Sequence, residues 1–304
     1  MENSKTHLDG LAMAILLICC ASWGLQQITV KWIIADISPV MQAALRSIGA
    51  FFLIAFWIKV RRKPIFEKDG TLWWGIGAGL LFGTEFMMIY WGLEFTNASR
   101  AVVFLYLAPF IVAVGSQFLF PSEKLNKLQF LGLICSFLGL IVAFGESLLL
   151  SSTEMLIGDI MLIVAAIMWA SSTLLIKKGP LAKISPNKTL LYQLAVSSVM
   201  LLAVSKLLDE PGIIRVTDLT IYSMLYQTVW VAAMTYAAWF WMVKHYPAAK
   251  LASFSFLTPM FGVVAGVVLL NEPLTPSLGV AMFLVASGIY LVNRKPKIKP
   301  AYPL

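Results

Sequence analysis

The chain has 304 residues, 60% of them hydrophobic and only 12% charged, about half the charged share of an ordinary soluble domain, which excludes a water-soluble fold. Successive apolar blocks of about 20 residues suit membrane-crossing helices, leave no room for a sizeable soluble domain, and lack the alternation of roughly 10-residue barrel strands. The net charge of +8 does not point to nucleic acid, because the basic residues fall in short breaks between blocks and at the C-terminus, where topology accounts for them.

An all-α membrane protein is therefore predicted, with ten helices over residues 10–33, 38–60, 71–95, 98–120, 126–145, 155–178, 188–208, 217–244, 247–270 and 275–293. Ahead of the first helix, Glu2, Lys5, His7 and Asp9 replace the basic region of a signal peptide, so that helix is expected to be retained. It carries Cys19, Cys20, Trp23, Gln26, Gln27 and Lys31. The second opens on Ile37-Ser38-Pro39 and the seventh on Ile184-Ser185-Pro186, each an expected N-cap serine with proline at the first helical position. The third holds Gly75, Gly79 and Gly83, a smooth face for packing within the chain or for a homodimer, as do Gly262 and Gly266 in the ninth. Cys135 in the fifth helix, like the other two cysteines, reads as a small buried hydrophobe rather than a metal ligand.

Lysine and arginine favour one face: Lys5; Lys59, Arg61, Arg62, Lys63 and Lys68; Lys124 and Lys127; Lys177, Lys178, Lys183 and Lys188; Lys244 and Lys250; Arg294, Lys295, Lys297 and Lys299. Eighteen of the twenty-three basic residues gather there, so that face and both termini are expected to be cytoplasmic in a cell inner (plasma) membrane. The opposite loops carry Glu146, Glu154, Asp209, Glu210 and Glu272.

The two halves repeat. Trp23 precedes Lys31 by the same eight residues that separate Trp169 from Lys177, and Arg100, Phe104, Leu107 and Pro109 correspond to Lys250, Phe254, Leu257 and Pro259. Five helices per half make the repeats inverted, over residues 1–148 and 149–304, with Lys31 facing outward and Lys177 inward. Inverted halves can exchange conformations and so argue for alternating access.

In these features the chain resembles the drug/metabolite transporter superfamily, specifically its EamA-type ten-helix members. The resemblance rests on Trp23-Gly24, Arg46, Ala98-Ser99, Pro109, Gly158-Asp159, Trp169-Ala170, Pro259 and Asn271-Glu272-Pro273. It implies a secondary carrier with a central cavity between the halves, often exporting amino acids, related metabolites or toxic organic molecules.

Two ionisable residues lie at nearly the same membrane depth, Arg46 in helix two and Glu85 in helix three. Charge at that depth is costly and demands a reason. Either Arg46 holds a substrate carboxylate while Glu85 binds an amine or shuttles a proton, or the two form a structural ion pair. Trp23 and Gln26 in helix one, Trp169 in helix six and Gln193 in helix seven occupy equivalent places in the repeats, Gln193 corresponding to Arg46, and are expected at the substrate site. Tyr90 and Trp230 are expected there too, among further polar aromatics and amides that include Gln42, Trp91, Tyr106, Tyr192, Gln227, Tyr236 and Trp239. Pro109 and Pro259 should kink their helices and act as hinges.

No G-x-x-x-x-G-K-[ST] loop and no H-E-x-x-H motif occurs. The expected partners are a small-molecule substrate, the lipid bilayer and protons, with neither cofactor nor metal. An amino acid would use Arg46, Glu85 and the aromatics; a cationic drug would use Glu85 and the aromatics alone. An intramembrane enzyme or a channel are the readings from other classes.

Overall fold

The structure is a computed structural model that describes residues 5, 7–62, 64, 69–96, 98–149, 152–270 and 276–294. Asn271, Glu272 and Pro273 lie outside them, as do Lys63, Lys68, Lys295, Lys297 and Lys299, and the side chains of Gln27 and Lys31 are likewise outside the description. The helices are α1 (Gly10–Trp32), α2 (Pro39–Val60), α3 (Leu72–Phe95), α4 (Ala98–Leu105), α5 (Ala108–Leu119), α6 (Lys127–Phe144) and α7 (Thr153–Lys178). They continue with α8 (Pro186–Leu207), α9 (Asp218–Leu225), α10 (Tyr236–His245), α11 (Ala248–Phe254), α12 (Leu257–Leu270) and α13 (Pro276–Asn293). Among the described residues nine stretches are long and apolar enough to cross a membrane. The helical run from Asp218 to His245 occupies the place of the eighth of the ten expected spans.

Three crossings depart from a plain α-helix. The fourth breaks between α4 and α5, and α4 ends at Leu105, the residue whose carbonyl the Pro109 ring obstructs and to which Pro109 has no N–H to donate. Leu107 N–H turns to the Phe104 carbonyl at 3.2 Å and Phe110 N–H to the Leu107 carbonyl at 3.0 Å, tightening the backbone across the break. The ninth breaks the same way four residues before Pro259, at Ser255. In the eighth, Tyr226–Thr235 adopt π-helical geometry, which the sequence pattern does not foreshadow.

The two Ser-Pro openings also differ. Ser185 caps α8 by accepting the Lys188 N–H at 3.2 Å. Ser38 does not cap α2. Its hydroxyl takes the Gly212 N–H at 3.0 Å, and Glu210 accepts the first-turn N–H groups of Val40 and Met41 at 2.9 Å each. A carboxylate suits that helix start, where the backbone donors carry partial positive charge.

Packing pairs the halves symmetrically. α2 lies on α8 and α6 on α13; α1 meets α12 as α7 meets α4 and α5. These cross-half contacts are the arrangement expected of two inverted repeats about a pseudo-two-fold axis. The glycine face of α3 is spent inside the chain: a Cβ at Gly75, Gly79 or Gly83 would meet Tyr192, Val196 or Met200 of α8. Closest of all is the α6 and α13 contact, where a Cβ at Gly288 would stand 2.4 Å from the Gly132 carbonyl oxygen and 2.6 Å from the Ser136 nitrogen. Backbone cannot yield as a side-chain tip does, so Gly288→Ala is expected to wedge the helices apart and cost about 1–3 kcal/mol. A lowered melting temperature in detergent checks this.

Candidate functional site

Between the halves lies a cavity of about 110 Å³, walled mainly by apolar and aromatic side chains with a few polar groups, as small-molecule sites are. α1 supplies Trp23, Gln26 and Val30; α3 supplies Phe82, Glu85, Phe86, Ile89, Tyr90 and Leu93; α7 supplies Trp169, Ser172 and Thr173. Leu105, Tyr106 and Thr258 enter at the two proline breaks, and Tyr236, Trp239 and Phe240 follow the π-helical segment. Both irregularities thus place side chains on the cavity. Trp23 donates its indole N–H to Thr235 at 2.9 Å and meets Trp239 edge-on at 5.4 Å between ring centroids. Tyr106 meets Trp169 edge-on at 5.9 Å. Glu85 is the only carboxylate among the described lining residues, and no lysine, arginine or histidine joins it.

Five of the expected site residues, Glu85, Trp23, Gln26, Trp169 and Tyr90, therefore line one cavity. Gln193 stands behind it and donates to the lining Ser172 hydroxyl at 2.9 Å. Trp230 does not reach it; its indole N–H binds the Ser22 hydroxyl at 2.8 Å and the ring is 39% exposed. The sequence reading did not single out Phe82, Phe86, Ser172, Thr173 or Thr258. Only the adjacency of Phe86 to Glu85 and of Thr258 to Pro259 could have signalled two of these.

Arg46 is fully buried, yet it is not part of the lining. None of its three guanidinium nitrogens has a hydrogen-bond partner. No ion pair within 4.0 Å joins it to Glu85, so the structural-pair reading is not the arrangement found. Instead its Cζ lies 4.1 Å from the Phe86 ring centroid and 5.8 Å from that of Tyr236. A desolvated cation over an aromatic face gains about 2 kcal/mol, which offsets only part of the cost of burying a charge.

The lining stops short of the face that bears the termini. There Lys177 at the end of α7 pairs with Glu123 of the α5–α6 turn at 2.8 Å, both side chains less than a tenth exposed. Lys177 also donates to the Tyr246 carbonyl, and Glu123 accepts the Ala248 N–H at 3.1 Å. The Tyr246 hydroxyl binds Asp9 at 3.0 Å, which fastens the start of α1 to the same knot. In the other direction the lining runs out to Val30 and Leu93, close to the ends of α1 and α3.

A second anchor on the terminal face joins Lys188 of α8 to Asp69 at 2.7 Å. Lys188 and then the Thr71 hydroxyl hold the Asp69 carboxyl well below the usual carboxylate range. A depressed folded-state pKa contributes stability that is complete above the unfolded value of about 3.9 and is lost as pH falls toward the folded one. The melting-temperature gap between wild type and Asp69→Asn should therefore stay level above about pH 5 and close below about pH 4. Melting curves across that range check it.

The comparisons with known proteins agree with this architecture. The family model for the EamA-like transporter family matches residues 10–145 and again residues 156–294. The chain belongs to the EamA-like transporter family. It is a multi-pass membrane protein. It is 28% identical over 273 residues to an uncharacterized transporter, YoaV, of Bacillus subtilis, covering 88% of this chain and 92% of that one. A "Probable amino-acid metabolite efflux pump" of Salmonella typhimurium is 26% identical over 294 residues, covering 93% of this chain and 94% of its own. A crystal structure of 18% identity superposes with a TM-score of 0.77 over 92% of this chain and 96% of the other, which shows the fold. In the transporter the second of the two family matches begins at residue 156, in the first turn of α7, so each half carries its own copy of the family pattern.

Proposed function

We propose that this transporter is a secondary active exporter of small amine-bearing organic solutes, amino acids or related metabolites, working by alternating access in the inner membrane with both termini cytoplasmic. The observation that carries this reading is the cavity: one carboxylate, Glu85, ringed by aromatic side chains from both halves, where an ammonium group finds both a counter-charge and ring faces. Closure by Glu123 and Lys177 on the terminal face, with the lining reaching the other, gives one end state of such a cycle. The inverted halves supply the second by exchanging conformations, flexing at the breaks before Pro109 and Pro259. With no phosphate-binding loop in the sequence, the energy comes from a gradient, and Glu85 is the group that takes up the coupling proton. The basic loops on the terminal face support its cytoplasmic placement, and the efflux names of two relatives support export.

A purely cationic drug is the second reading, favoured by the position of Arg46 outside the lining. Purified protein in sealed liposomes, offered labelled amino acids and organic cations with and without a pH gradient, tests both. Saturable, gradient-enhanced flux of one class is expected. Non-saturating flux would indicate a channel, and covalent change of the solute an enzyme.

A further inference from the structure

Arg46 and Arg100 are both buried arginines, but only one is provided for. Arg100 binds the Asp159 carboxylate. Arg46 has no acceptor for any nitrogen and rests against the face of Phe86. Phe86 in turn lines the cavity, and it follows Glu85 directly on α3, about 100° further round the helix. The Phe86 ring, with Tyr236 beside it, therefore stands between the buried guanidinium and the cavity that Glu85 lines.

We propose that Phe86 is a shutter over Arg46, which turns aside to admit a carboxylate, so that the cavity holds a compact zwitterion with its ammonium on Glu85 and its carboxylate on Arg46. This rests on the cavity being the transport site. The exchange favours Arg46, because a planar guanidinium gains more from two charge-assisted hydrogen bonds to a carboxylate than from a ring face. Phe86 belongs to an aromatic cluster, with Phe82 at 4.8 Å, Tyr90 at 6.3 Å and Tyr236 at 6.3 Å between ring centroids, so the turn of the shutter repacks that cluster. An amine without a carboxylate leaves the shutter closed and binds to Glu85 and the rings alone. The shutter thus sets the choice between zwitterion and simple cation, the point on which the two substrate readings diverge.

Calorimetry with a matched pair, phenylalanine and phenethylamine, tests this, because the two share ring and ammonium and differ in the carboxylate. Phe86→Ala exposes Arg46 without the need to move a ring, so the dissociation constant for phenylalanine should fall about tenfold relative to that for phenethylamine. Phe86→Leu, which keeps a side chain in place, should shift the ratio the same way by less and serves if the alanine variant does not fold. Arg46→Gln should abolish the preference in either background. Equal shifts for both ligands, or a preference that survives Arg46→Gln, would overturn the shutter. So would wild-type protein that binds neither ligand while liposome flux of another solute is intact. Loss of all liposome flux would instead remove the transport reading beneath it.

Discussion

Glu85→Gln is expected to lower transport of an amine-bearing solute about 100-fold and to abolish its accumulation against a gradient driven by protons. Two unit charges 4 Å apart interact by about 4 kcal/mol at an effective dielectric constant of 20, nominally about three orders of magnitude in binding. The aromatic faces around Glu85 remain in the variant and retain part of that, which brings the expected loss to about 100-fold. The second effect is separate from the first, because glutamine has the shape of glutamic acid but no proton to exchange. The protein should still elute as a single species, since no ion pair or hydrogen bond to Glu85 is broken by the change. Flux in sealed liposomes, measured downhill and then with an imposed pH gradient, separates the two effects. Weakened binding with intact gradient-driven accumulation would leave Glu85 as a substrate contact and place the proton elsewhere.

Why Glu85 was visible in the sequence and Phe86 was not is a matter of geometry. A charge in an apolar block shows its depth, because depth follows from the rise along a helix. On that basis Arg46 and Glu85 are expected at one level, and the Arg46 guanidinium lies against Phe86, the residue next to Glu85. Depth carries no information about azimuth, and azimuth puts Glu85 in the cavity, Arg46 behind a ring and Trp230 on the exposed side. Helix ends were equally legible, as the third helix shows: residues 71–95 were expected and Leu72–Phe95 is found. The proline breaks were legible for the same reason, since proline acts on its own backbone. The π-helical run Tyr226–Thr235 contains neither glycine nor proline to announce it in the sequence; it packs against α2, where the missing side chain of Gly49 makes room for Thr228. Ser38 shows a related limit. Its place before proline gave the end of the helix, but the loop residue Glu210 took over the first-turn donors, and nothing near Ser38 in the sequence announces that.

The largest effect on stability should come from Asp159→Asn, about 3 kcal/mol. Asp159 at the start of α7 accepts from the Arg100 guanidinium and from the Thr96 hydroxyl, the latter at 3.0 Å, with both charged side chains under a twentieth exposed. Removing the carboxylate charge leaves the buried guanidinium short of its counter-charge, and breaking such a pair from one side typically costs 3–5 kcal/mol. Asparagine still accepts one hydrogen bond, which sets the expectation at the lower end. The double variant Arg100→Leu with Asp159→Leu removes both charges, so it should unfold within about 1–2 kcal/mol of wild type or above it. Denaturation in detergent micelles measures both. The comparison also bears on function, because this pair joins α4 of the first half to α7 of the second. A double variant that is stable and still transports would show that the pair is dispensable for transport, with α4 held on α7 by packing alone. A stable variant without transport would mean that the Arg100–Asp159 pair serves transport beyond its part in stability.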